Sequence, residues 1–148
     1  MEGKTDETDL QILALLEKDA KMRMHVIARK LGIPASTVHH RIKRMEKEGA
    51  IAGYAVKKGY KKLGMMLKAH VLVFVDLNTI KKMKKTQADI CEELARIPGV
   101  EGAEIITGEA DMMVTVRTRG IEEFRKLLLE KIQAVEGITE TKTMMVIA

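Results

Sequence analysis

Ser36, Thr37, His39, His40, Lys43 and Lys47 fall at spacings that gather hydroxyl, imidazole and ammonium groups on one side of a helix. At about 100° per residue, Ser36, His40, Lys43 and Lys47 lie nearly opposite the sector shared by Ala35, Val38, Ile42 and Met45, and Thr37 and Arg44 flank them. Hydroxyls, imidazoles and amines of this kind hydrogen-bond base edges, while Lys and Arg neutralise phosphates and release their condensed counterions. Between Lys21 and Lys47 eight Lys or Arg residues stand against a single acid, Glu46. Residues 1–20, by contrast, carry two bases and six acids, and residues 61–148 carry 14 bases and 13 acids. The basic surplus is therefore local, which marks a docking surface more than a means of solubility. A merely solvated charged face is the ordinary alternative. The helix–Gly–helix spacing around Gly32 favours duplex DNA instead. Adjacent residues on a helix diverge by about 100°, and no Cys or third His is near, so His39 and His40 do not form a zinc site.

A second constellation is Gly108 followed by Asp111. On the residues alone it reads equally as a hairpin turn capped by a carboxylate or as a small binding turn. Elsewhere there is no Gly-rich phosphate loop, no nucleophile beside a base and no cluster at metal-ligand spacing, so no enzyme, metal site or cofactor is expected. Cys91 is the single cysteine, which excludes an internal disulfide and suits a reducing cytoplasm. No signal peptide and no apolar run of about 18 residues is visible, so no membrane association is expected. The Lys81-Lys82…Lys84-Lys85 run reads as a solvated face, His25 and His70 as structural, and the 11 Met residues as core and interface filler. One Asn, three Gln and abundant Lys, Glu and Ile match the bias of heat-adapted proteins.

The elements that must carry these groups follow from apolar spacing. A first helix is predicted from about Thr8 to Lys18, with Thr8 or Asp9 as its cap, and a second from about Met24 to Leu31. Gly32 makes the turn, Pro34 opens the third helix, and Gly49 stops it after Glu48. Ile51–Val56 reads as a short strand, a wing or the start of a linker, and the Lys- and Gly-containing stretch after it as a hinge. The expected divisions are residues 1–56, a linker over 57–66, and a second domain over 67–148.

In the second domain the expected order is β-α-β-β-α-β: His70–Val75, a helix over Thr79–Ile97, Val100–Ile106, Met112–Val116, a helix over Ile121–Val135, and Ile138–Ile147. Ile97-Pro98-Gly99-Val100 is echoed by Val135-Glu136-Gly137-Ile138, each where a helix passes to a strand. This is the split βαβ, ferredoxin-like sandwich, and the whole chain is α+β. Val71–Val75 is apolar at every position, and Met112-Met113-Val114 and Met144–Ile147 are apolar on both faces. Two helices cover one face of a four-stranded sheet, so a homodimer joined through this domain is expected to cover the other.

The series Thr8-Asp9…Ile12-Leu13…Leu16…Asp19…Ile27-Ala28…Leu31-Gly32…Ser36-Thr37-Val38…Arg41-Ile42…Arg44-Met45-Glu46…Gly49…Ile51…Gly53-Tyr54 closely resembles the Lrp/AsnC family, the feast/famine transcription regulators of bacteria and archaea. The likeness continues through Pro98-Gly99-Val100, Thr107-Gly108-Glu109-Ala110-Asp111, Phe124, Leu127-Leu128 and Gly137-Ile138 to Thr143. It implies a winged helix-turn-helix joined to a βαββαβ amino-acid-sensing domain, assembled as dimers and often octamers. It also implies that the third helix is the recognition helix. In that role Ser36, Thr37, His40 and Lys43 would reach base edges, while Arg41, Arg44, Lys47, Arg29 and Lys30 would hold phosphates, with His39 serving either. The turn Thr107, Gly108, Glu109, Ala110 and Asp111 would form part of an amino-acid effector pocket between dimers, with Asp111 meeting the ammonium group. Two positions depart from the pattern. Arg23 stands where a Ser or Thr usually caps the second helix, and Ala110 replaces the aromatic residue of the turn. The implied function is a DNA-binding transcription regulator modulated by an amino acid and engaging the transcription machinery. The alternatives are an architectural DNA-compacting protein, or an amino-acid sensor or small enzyme with no DNA role.

Overall fold

The computed structural model describes residues 5–147. The first four residues of the expected N-terminal domain and the last residue of the C-terminal one lie outside the described residues. The chain divides into two compact units, Met1–Lys57 and Lys58–Ala148.

The N-terminal unit holds three helices: α1 (Glu7–Lys18), α2 (Met24–Leu31) and α3 (Ala35–Lys47). Its core is small. Ile12, Ile27, Ala28, Val38, Ile42 and Met45 are buried, with Leu13, Leu16, Leu31 and Ile51 packed around them. Asp6, not Thr8 or Asp9, caps α1: its carboxylate accepts from the Asp9 N–H, and the Asp9 carboxylate accepts from the Asp6 N–H. This reciprocal pair satisfies two end donors at once, and an acid at the cap spaced three residues from another is its signature. Arg23 begins α2 without a side-chain cap, as its type implies. Gly32 then turns the chain at φ +67°, a left-handed conformation that a residue with a Cβ reaches only at a cost. Pro34 sits at the cap of α3, where its missing N–H costs nothing. Among the α3 residues expected to face inward, Val38, Ile42 and Met45 do so. Ala35 is exposed, because it stands about 60° from Val38 around the helix, in an opening turn that the core does not reach. No strand or wing forms over Ile51–Val56 in the single chain. No second strand stands beside this segment to accept its hydrogen bonds, and a lone strand has no ladder to join.

The C-terminal unit is a four-stranded antiparallel sheet in the order β2-β3-β1-β4, built from β1 (Leu67–Val75), β2 (Val100–Ile105), β3 (Met112–Thr118) and β4 (Ile138–Met145). β1 runs down the middle and pairs antiparallel with both β3 and β4. The expected helix over Thr79–Ile97 is instead two: α4 (Leu77–Lys82) and α5 (Gln87–Ala95). Thr86 and Asp89 form a second reciprocal cap, and Lys84 takes φ +57°, so the chain breaks and restarts. The last helix also divides, into α6 (Ile121–Leu127) and a π-helical turn over Leu128–Ile132. Gly99 (φ +96°) and Gly137 (φ +99°) take the left-handed conformation expected of them, but as turns just before β2 and β4 and not as helix stops: α5 already ends at its Arg96 cap and the π-helical turn at Gln133.

One sheet face carries the core: Ala69, Val71, Val73, Met112, Val114 and Val116 meet Ile80, Ile90, Leu94, Phe124, Leu127 and Ile132. Strand alternation turns the neighbours of these residues the other way. The pairings His70–Met144, Leu72–Lys142 and Leu72–Met113 put Leu72, Met113 and Met144 on a face that no helix of this unit covers. Leu72, Phe74 and Met113 are half-buried and Met144 is exposed. They share the face with His70, whose Nδ1 lies 3.0 Å from the Thr115 hydroxyl. The start of the expected linker packs on this unit, with Tyr60 beneath the Arg117 guanidinium at 3.8 Å from ring centroid. Arg117 Nε donates to Glu101 at 3.2 Å.

Candidate nucleic-acid interface and effector turn

The α3 surface follows from its winding. Ser36, His39, His40, Lys43 and Lys47 are exposed, opposite Val38, Ile42 and Met45, which the core covers. Thr37, on the flank toward α1, is half-buried. Arg29 and Lys30 are exposed in the last turn of α2, where cations also favour the helix dipole. Within the exposed arc the one acid is held down. Lys43 Nζ donates to Glu46 at 2.9 Å and the Tyr54 hydroxyl donates to its other oxygen at 3.0 Å. These two bonds, the Lys43 one first, keep the Glu46 carboxyl below its ordinary range. Burial, then Glu46, pushes the Tyr54 hydroxyl up.

Arg41 and Arg44 are differently placed from the rest of the expected phosphate contacts. They lie about 60° apart on the flank of α3 that meets α1. Arg41 Nη1 donates to Asp6 at 2.6 Å and to Asp9 at 2.9 Å, and Arg44 Nη2 donates to Asp9. Arg44 Nε lies 3.9 Å from Glu48. The hydrogen bond from Arg41, then the backbone bond from Asp9, holds the Asp6 carboxyl below its ordinary value, and the same acids raise Arg41. Sequence reasoning missed Asp6 and Asp9 as partners of α3. Their spacing reveals the cap, but nothing local reveals a carboxylate that reaches across 32 residues.

The other constellation is the turn between β2 and β3. Thr107, Gly108 and Glu109 are exposed, while Ala110 is buried. Asp111 faces its own domain: its carboxylate accepts from the Val75 N–H at 2.9 Å and from the Gln87 amide at 3.1 Å. Glu109 pairs with Lys142 at 2.8 Å, which lowers the Glu109 carboxyl and raises the Lys142 amine. Lys142 also stands 5.0 Å from the Phe74 ring centroid, so turn and open sheet face are joined by one cation. Gln87 and the Val75 amide are the partners that the sequence concealed. Among the described residues, no group of three or more His, Cys, Asp or Glu side chains is placed to hold a metal. Nor is any helix there long and apolar enough to cross a membrane.

A three-helix unit with this arc, followed by a βαββαβ sheet unit, matches two family models in the same order. Residues 5–52 match a winged helix-turn-helix DNA-binding model, and residues 72–148 match the Lrp/AsnC ligand-binding domain. The chain belongs to the Lrp/AsnC family. As a family member it is a DNA-binding transcription regulator with a ligand-binding domain. It is similar to an HTH-type transcriptional regulator of Pyrococcus furiosus, 39% identical over 94% of this chain and 90% of that one. A second regulator, from Pyrococcus horikoshii, is 35% identical over the same shares. In fold it is similar to E. coli AsnC, with TM-score 0.83, 24% identity, and 97% of this chain and 92% of that chain covered. It is likewise similar to a Neisseria meningitidis transcriptional regulator solved as a complex with L-Met, with TM-score 0.87, 19% identity, and 97% and 90% covered.

Proposed function

We propose that this Lrp/AsnC protein binds a near-palindromic duplex site as a homodimer, with α3 of each protomer in a major groove. The major groove is wide enough to admit a helix, and a twofold protein fits a twofold site. In this reading Ser36, Thr37, His40 and Lys43 face base edges. Arg29, Lys30 and Lys47 face phosphates, and His39 serves either. Arg41 and Arg44 already meet carboxylates of their own domain, so they add little to the phosphate contacts. The observation that carries the reading is the exposed arc of Ser36, His39, His40, Lys43 and Lys47 opposite the buried Val38, Ile42 and Met45.

A second copy covers the open sheet face around Leu72, Phe74, Met113 and Met144. Removing the still exposed apolar area of these side chains from water is the drive for pairing. An amino-acid effector at residues 107–111, shared with a neighbouring dimer in an octamer, modulates binding. The ligand-binding domain match and the L-Met held by the Neisseria regulator support that part. The protein then acts on transcription in the cytoplasm, through DNA and the transcription machinery, and not as an enzyme.

Selection of bound sites from random duplex, with and without each amino acid, tests the reading. A consensus with half-sites about one helical turn apart is expected. About six phosphate contacts per dimer predict a slope near −5 in log K against log salt. Salt-dependent binding without a consensus would make the protein an architectural DNA binder. Flat salt dependence or no binding would overturn the DNA reading. For pairing, Met113→Glu, in the middle of the open face, is expected to give monomers in light scattering; a persistent dimer would place the interface elsewhere.

A further inference from the structure

Asp9 is the only ionisable residue counted as buried among the described residues, and its side chain is 0% exposed. Its carboxylate accepts from Arg41, from Arg44 and from the Asp6 N–H. A carboxylate taken out of water costs several kcal/mol, and its ion pairs return that only with good geometry. Such a cluster adds little net stability over an apolar packing of the same volume. What it adds is direction. The contact of α3 with its domain rests on Val38, Ile42 and Met45, and apolar packing of three side chains tolerates small rolls. A roll of about 20° moves a side-chain tip at about 6 Å from the axis by about 2 Å, enough to break a hydrogen bond to a base edge. Two guanidiniums three residues apart, both bonded to one rigidly capped acid on α1, forbid that roll. They are also occupied: Arg41 Nη1 is shared between two carboxylates, and Arg44 Nη2 is bonded to Asp9.

We propose that Asp9 is the positioning residue of the DNA-reading helix, and that Arg41 and Arg44 serve Asp9 and not DNA phosphates. The inference rests on the proposed placement of α3 in the groove. Asp9 touches no DNA; it acts through the two arginines.

The test measures affinity of the full chain for a selected site and for random duplex across a salt series, with helicity followed by circular dichroism. Asp9→Asn is expected to keep its helices and lose at least tenfold in the ratio of specific to random binding. Its affinity for random duplex should hold or rise, and the salt slope should steepen, because released guanidiniums reach phosphates. Asp9→Asn combined with Arg44→Gln removes one of the two released guanidiniums and should bring the slope back toward the wild-type value. A slope shallower by about two per dimer would show that Arg44 holds a phosphate in the wild type, and would overturn the proposal. Arg44→Lys keeps the charge and leaves the acid paired, so it decides the matter if the Asp9 variants unfold. Discrimination lost with random binding retained supports the proposal, and unchanged discrimination overturns it. A wild type that shows no salt-dependent binding defeats the DNA reading itself, a result separate from any of these.

Discussion

The Asp111 carboxylate accepts a hydrogen bond from the Val75 N–H at 2.9 Å, and the Asp111 N–H donates to the Val73 carbonyl at 3.1 Å. One residue of the turn between β2 and β3 thus closes the end of β1 as well as its own hairpin. Asp111→Ala leaves the Val75 amide and the Gln87 side chain without this acceptor. It should cost about 1–3 kcal/mol in urea unfolding, the range for an orphaned, partly buried donor. Asp111→Asn keeps an oxygen facing Val75 and should recover most of that loss. An alanine variant as stable as the wild type would show that the carboxylate is free for a ligand.

Gly32 and Gly137 separate two costs of a Cβ. At Gly32 (φ +67°) nothing lies within 4 Å of an added Cβ, so Gly32→Ala pays backbone strain alone, about 1–2 kcal/mol. At Gly137 (φ +99°) a Cβ would also meet Ile80 Cγ1 at 3.0 Å. Ile80 is buried at 2% exposure and cannot swing away, so Gly137→Ala should cost more, about 3 kcal/mol. Equal losses in denaturant titrations would contradict this ordering.

Acid should loosen the N-terminal unit through Asp6. Arg41, then the Asp9 N–H, holds the Asp6 carboxyl below its ordinary value of 3.8 in the folded protein. A depressed carboxyl contributes its stability above the unfolded value and loses it as pH falls through the lower, folded one. The loss therefore develops below about pH 4. Asp6→Asn should flatten that acid limb in stability measured against pH, with little change in the slope near neutrality.

Glu46 is the acid inside the basic arc. Its removal frees Lys43 and takes one negative charge away from an approaching phosphate backbone. Across a watery surface that repulsion is modest, so Glu46→Gln should tighten binding to any duplex about fivefold at low salt. The gain should shrink as salt rises past physiological strength, where the screening length is about 8 Å. Anisotropy titrations at two salt concentrations read both effects, and a variant that binds no more tightly would remove Glu46 from the interface.

Local rules held where neighbours in sequence decide the outcome. α2 is bounded as expected, because Leu31-Gly32-Ile33-Pro34 contains both its stop and the next start. The order of the sheet unit, the left-handed turns at Gly99 and Gly137, and the exposed arc of α3 follow from period and turn residues in the same way. The break at Lys84 was concealed because an amphipathic stripe runs across it, while the Thr86–Asp89 cap that restarts the chain is only three residues long. Of the three readings of Ile51–Val56, a short strand, a wing or the start of a linker, the strand and the wing do not form, because strands need a partner and sequence propensity supplies none.

The sequence by itself determined the two folds, the basic arc from Ser36 to Lys47 and the family to which they belong, since each depends on spacing along a few turns of chain. Only the tertiary structure decided which cations and acids of that arc and of the turn between β2 and β3 are already occupied. Arg41 and Arg44 look like their exposed neighbours until α1 brings Asp9 against them, and Asp111 looks free until β1 offers the Val75 amide. Those partners lie 32, 35 and 36 residues away, and contacts at that range are set by how elements pack, which no local pattern encodes.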